Sequence, residues 1–120
     1  MTTNITINEK RNDGTQIHLY FNGFVGLYVA YGKSAFLLSK ETEVSPSYSE
    51  DLQMPVVVIN VAHYNLLKEK LEVVKRQDGY RCMKPDVAFE KKEYSEWVQG
   101  LRGGKNVWTN IFGSRLMVQG

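Results

Sequence analysis

At 120 residues, 42% of them hydrophobic, the chain is long enough for one domain that buries roughly two-thirds of the surface its unfolded form exposes. A single cysteine, Cys82, excludes a disulfide framework and any Cys-x-x-Cys zinc or redox pair, so core burial has to hold the fold. The net charge of +2 demands no polyanionic partner by itself, and no stretch approaches the roughly 20 apolar residues of a membrane span.

Residues 1–14 mix Thr, Asn and charges, lack an apolar signal region and end in Asp13-Gly14, which predicts a loosely held N-terminal arm on a soluble, cytoplasmic protein. From Gln16 the apolar residues Ile17, Leu19 and Phe21 alternate with His18 and Tyr20, the period of a half-buried strand. Asn22-Gly23 then predicts a tight hairpin, with residues 24–31 as the returning strand, against a competing reading as one continuous bent strand. Gly32-Lys33-Ser34 switches the period, and Ala35, Leu37 and Leu38 predict a short helix ending near Glu41. An acidic loop follows, carrying Glu41, Glu43, Glu50 and Asp51, with Ser45-Pro46-Ser47 inside it. Residues 54–59 are almost wholly apolar, which predicts a central strand covered on both faces.

Asn60 is placed to cap the next helix, in which Tyr64, Leu67, Leu71 and Val74 recur at spacings of three and four and Glu72 sits one turn from Arg76. Asp78-Gly79 is expected to stop it, and Tyr80-Arg81-Cys82-Met83 to return as a strand ended by Pro85. A last helix over residues 90–102 shows Tyr94, Trp97, Val98 and Leu101 on one face and is closed by Gly103-Gly104. The remaining segment, residues 105–120, holds Trp108, Ile111 and Phe112 and is expected to pack on the domain or on a partner. The order strand, strand, helix, strand, helix, strand, helix predicts an α/β domain over residues 15–104, a mixed sheet flanked by helices.

Chemistry-bearing motifs are sparse. Residues 26–34 nearly spell a P-loop, but five strand-forming residues separate the glycines where a phosphate cradle needs four. His18 and His63 have no carboxylate or cysteine at ligand spacing, so no metal, cofactor or Cys-His nucleophile is expected, and no enzyme is predicted. Lys33, Lys75, Arg76, Arg81 and Lys84 form a candidate phosphate-contacting set, near a strand end and a helix end, against a bland reading as solvated charge. Trp108 and Phe112 are the interface candidates, since aromatic side chains carry interface energy.

Residues 27–35, Leu-Tyr-Val-Ala-Tyr-Gly-Lys-Ser-Ala, resemble the strand-to-helix passage of the N-terminal domain of MutS mismatch-repair proteins, where Phe-Tyr-Glu-x-Phe is followed within a few residues by Asp-Ala. The apolar run before Asn60, the helix with Leu67, Leu71 and Val74, and Gly79-Tyr80-Arg81-Cys82 are similar to that family's later strand, helix and Gly-Tyr-Arg-Val strand, so the likeness spans residues 16–84. It implies a MutS N-terminal-like fold standing as an isolated domain and contact with DNA. In the family the phenylalanine wedges into the minor groove and stacks on a mispaired base, which the glutamate hydrogen-bonds. Carried over, those positions are Leu27 and Val29, neither of which offers a π-face or a hydrogen bond. Tyr28, between them, points to the other side of the strand. The expectation is therefore a binding module without mismatch specificity: either it contacts the DNA backbone through the basic set, or it has left nucleic acid for a protein partner or its own copies.

Overall fold

The computed structural model describes residues 2–86 and 89–112, with the side chains of 5–86 and 89–102. The described elements are α1 (Thr2–Arg11), β1 (Ile17–Asn22), β2 (Leu27–Tyr31), α2 (Gly32–Glu41), β3 (Ser47–Ser49), β4 (Met54–Asn60), α3 (Val61–Lys70), β5 (Glu72–Gln77), β6 (Tyr80–Lys84) and α4 (Lys91–Phe112). The six strands form one sheet in the order β3-β4-β2-β1-β6-β5, so the α/β class holds. Every ladder in it is antiparallel, not mixed. The reason is β3, which lies where a loop was expected. After β2 the helix α2 brings the chain back, and β3 reverses it once more, so that β4 runs opposite to β2.

Alternation along the strands defines two faces. Ile17 and Leu19 of β1, Tyr28 and Ala30 of β2, Val57 and Ile59 of β4 and Met83 of β6 point one way, and α2 and α3 cover them with Leu37, Leu38, Tyr64 and Leu67. Each of the isoleucine, leucine, valine and methionine side chains among them contributes ~1.5–3 kcal/mol through burial. β4 was expected to be covered on both faces, yet Val58 is 38% exposed between the buried Val57 and Ile59. β3 pairs only with Met54, Pro55 and Val56, so the second half of β4 is an edge with one covered face.

Helix α3 is capped as its sequence predicts, Asn60 Oδ1 accepting from His63 N at 2.8 Å. It ends earlier than its apolar spacing suggests, at Lys70, with Leu71 at the C-cap. The β-branched pair Val73-Val74 goes into a strand, and Asp78-Gly79 is a hairpin turn joining β5 to β6, not a helix stop. Glu72 therefore faces Lys84 across the ladder, not Arg76 along a helix. An irregularity between Val73 and Lys75 leaves Val74 exposed. Helix α4 passes through the Gly103-Gly104 pair that was expected to close it and reaches Phe112.

The N-terminal segment, expected to be a loose arm, is the helix α1, tied to the domain by buried polar groups. Glu9, Asn12 and Ser34 are all buried. Glu9 Oε1 accepts from Ser34 N at 3.0 Å and Oε2 accepts from Ser34 Oγ at 2.6 Å. Tyr31, the N-cap of α2, makes no side-chain cap hydrogen bond, so a carboxylate from another helix supplies it. Ser34 Oγ in turn accepts from His18 N at 2.9 Å and from Asn12 Nδ2 at 3.3 Å. Burial pushes the Glu9 carboxyl above its ordinary value of 4.5, and the hydrogen bonds from Ser34 and Asn12 oppose that shift. Gly32 closes the contact: its φ is +57°, and a Cβ there would lie 3.2 Å from both Glu9 Cγ and Met54 Sδ.

Candidate nucleic-acid interface

β1 lies between β2 and β6, which brings the β1–β2 loop and the β5–β6 turn side by side at one end of the sheet. Phe21 N donates to Gly79 O at 3.0 Å and ties them together. The first loop is longer than the two-residue turn its Asn-Gly suggests. Asn22 Oδ1 accepts from Phe24 N at 3.0 Å, and Gly26 N donates to Asn22 O at 2.9 Å with Gly26 at φ +65°. Pairing resumes only at Leu27. Phe24 and Val25, expected within the strand, are instead the apex of the loop, Phe24 102% and Val25 60% exposed.

Three of the five predicted cations stand at this end. Arg76 and Arg81 are direct cross-strand partners, and Lys75, opposite Cys82, projects to the other face of the same edge ladder. Like charges placed opposite one another cost a ladder ~0.2–1 kcal/mol. Arg81 Nη1 donates to the carbonyls of Gln77 and Tyr80 at 2.7 and 2.8 Å, and its buried Nε has no partner. Among the described residues, no carboxylate lies within ion-pair range of Lys75, Arg76 or Arg81. The other two cations lie at the far end of the sheet. Lys33 Nζ donates to Asn12 O at 2.8 Å, and Lys84 faces Glu72, so the five do not form one surface.

Leu27 and Val29 are half-buried on the face of β2 that α2 and α3 leave open, and β2 runs without a break into α2. Tyr28 points into the core and stacks on Tyr64, ring centroids 4.2 Å apart. Trp108 and Phe112 fall on the backbone of α4, and their side chains lie outside the described residues.

The open face carries a feature the sequence reading passed over. Tyr20 and Tyr80 are ladder partners, Tyr31 shares their side of the sheet, and the rings pack at 5.6 Å (Tyr20 to Tyr80) and 6.3 Å (Tyr20 to Tyr31). Asn8 Nδ2 donates to Tyr20 Oη at 2.9 Å, and Tyr80 Oη shares a 2.5 Å hydrogen bond with His18 Nδ1. The three rings floor a groove of about 750 Å³ between α1 and the two turns, with Phe24, Lys75 and Asp78 on its rim. Burial lowers the pKa of His18, with Lys75 adding to the shift, and burial raises those of Tyr80 and Cys82. His18 is thus neutral and Cys82 a protonated thiol at neutral pH. Among the described residues no three His, Cys, Asp or Glu side chains come together as a metal site, and no helix is long and apolar enough to cross a membrane.

Comparison with protein-family models, with curated proteins and with solved structures finds no match to this chain.

Proposed function

We propose that the chain is a non-catalytic binding module that contacts nucleic acid through its backbone, without mismatch specificity, on a scaffold of the MutS N-terminal type. One observation carries this reading: among the described residues Lys75, Arg76 and Arg81 stand without a carboxylate partner at the end of the sheet that also carries the exposed ring of Phe24. A ladder that holds two arginines face to face accepts electrostatic repulsion that phosphates would relieve. β5 is an edge strand, so cations on both of its faces border one outer rim of the molecule. Leu27 and Val29, on a strand that runs into α2, offer neither a π-face nor a hydrogen bond, which favours sequence-blind contact. The cytoplasm suits the lone thiol of Cys82, which stays reduced there.

Labelled oligonucleotides, single-stranded and duplex, titrated at low and moderate salt, test the reading. Binding is expected to weaken steeply with salt and to ignore a mismatch, and each of Lys75→Ala, Arg76→Ala and Arg81→Ala should make the salt slope shallower by about one. No binding of either form by micromolar protein at low salt refutes it.

The alternative is a protein-interaction or self-association module. What favours it is the course of α4, which carries the positions of Trp108 and Phe112 on a helix 22 residues long. Deleting residues 106–120 should then change the oligomeric state measured by light scattering. An unchanged mass counts against it.

A further inference from the structure

We infer that the tyrosine groove on the open face receives unpaired nucleobases, so that the ligand of this module is single-stranded nucleic acid and not a regular duplex. The inference rests on the reading of the cationic end as a nucleic-acid contact and specifies what that contact holds. A duplex keeps its bases stacked inside and offers phosphates alone, whereas a single strand offers both phosphates and π-faces. The groove supplies partners for both. Tyr20, Tyr31 and Tyr80 lie side by side on adjacent antiparallel strands, and Phe24 stands exposed at the rim. Strands in a sheet lie about 4.8 Å apart, close enough for neighbouring rings to meet bases of one extended chain.

The floor is organised in advance. The hydroxyls of Tyr20 and Tyr80 are held by Asn8 and His18, which fixes two of the three rings before any ligand arrives. The hydroxyl of Tyr31 has no hydrogen-bond partner among the described residues, so it is free for a base edge or a sugar. At about 750 Å³ the groove falls within the ~300–1,000 Å³ of small-ligand clefts, room for a short run of nucleotides. Lys75 lines it, and Arg76 and Arg81 lie on the opposite face of the same β5–β6 edge ladder, so a strand that leaves the groove and wraps over β5 passes from aromatic to cationic contacts. Asp78, at the turn, is the one acidic group among the residues lining the groove, and it steers phosphates toward Lys75.

The test compares a labelled twelve-nucleotide single strand, the same sequence as a blunt duplex, and a mononucleotide as competitor. The single strand is expected to bind at least tenfold more tightly than the duplex and to resist the mononucleotide. Tyr31→Ala should weaken single-strand binding by roughly five- to hundredfold, the range one base stack supplies, while Tyr31→Phe retains it. Ultraviolet cross-linking of an oligonucleotide carrying 5-iodouracil, followed by peptide mass spectrometry of the unmutated protein, should mark the peptides of Tyr20, Tyr31 or Tyr80. That arm does not depend on how the variants fold. A duplex bound as tightly as the single strand, a mononucleotide that competes equally, cross-links confined to other peptides, or Tyr31→Ala folding and binding normally each overturns the inference while leaving the backbone contact standing. Failure of both oligonucleotide forms to bind removes the underlying reading itself.

Discussion

The two ends of the sheet treat polar groups in opposite ways. At the end where α2 begins, Glu9, Asn12 and Ser34 are buried and bonded to one another through the helix N-terminus and the backbone of His18. At the turn end, Lys75, Arg76 and Arg81 have no acidic partner among the described residues, and a whole phenyl ring faces water. Buried polar groups that satisfy each other hold a fold together, whereas exposed cations such as Lys75 and Arg76 add little to folding. The contrast separates the region that stabilises this chain from the region with capacity to bind.

The strongest way to break that division is at the buried end. Ser34→Ala leaves the size of the side chain almost unchanged but strips a hydrogen bond from the Glu9 carboxylate and an acceptor from His18 N. Two buried groups left unsatisfied should cost roughly 2–4 kcal/mol, read as a lower urea midpoint. A shift under half a unit of kcal/mol would show that water replaces the hydroxyl and that the network is not what holds α1.

Glu9 also links this end to pH. Its carboxyl titrates above 4.5 in the folded state, so the native protein binds the proton more tightly than the unfolded chain does. The contribution of Glu9 to stability is therefore full below 4.5, declines as the pH rises toward the folded-state value, and is level above it. Glu9→Gln should flatten that decline, because its amide is not penalised for ionising in a buried site. Denaturation midpoints of both proteins across the acidic range measure it, and parallel profiles would show that other carboxyls set the pH dependence.

Much of this architecture could be read from residue order, and the misreadings share a cause. β1, β2, α2, β6 and the start of α3 follow from alternation, from Asn60 as a cap and from glycine at the period switches. The second half of α3 was misjudged because Leu71 and Val74 extend a helical spacing that β5 overrides once Asp78-Gly79 can close a hairpin onto β6. Helix α1 carries no apolar stripe; its signal is a single Glu9 whose partner, Ser34, lies 25 residues away. Phe24 was assigned to a strand because Asn-Gly favours a two-residue turn. A second glycine at Gly26 and the side-chain bond of Asn22 mark the longer loop, and those residues were in view. Tyr80 and Tyr31 could not be joined to Tyr20 without knowing that β1 lies between β2 and β6.

At the turn end, Gly26→Ala sharpens the comparison. No atom lies within 4 Å of a Cβ built there, so its cost is backbone strain alone at φ +65°, ~1–2 kcal/mol. Because Gly26 lies in open space and Phe24 is fully exposed, a thermal unfolding shift of that size should come without loss of the core's near-ultraviolet circular dichroism. A larger loss would mean that the apex is part of the folding core after all.

The smallest effect on stability is the most telling. Arg76→Glu turns the repulsive cross-strand pair with Arg81 into an attractive one on an exposed edge ladder, so the variant should be more stable than the parent by ~0.2–1 kcal/mol. The same change replaces a cation with an anion where phosphates are proposed to lie, and oligonucleotide binding should fall by more than neutral Arg76→Ala lowers it. Stability and binding are then expected to move in opposite directions at one residue, as they do where a site is kept at the expense of the fold. Urea melts and anisotropy titrations on the same preparation measure both. If the variant gains stability and binds as before, the arginine pair is only solvated charge. If it loses both, Arg76 belongs with the buried end of the molecule in holding the structure, and the division between the two ends fails there.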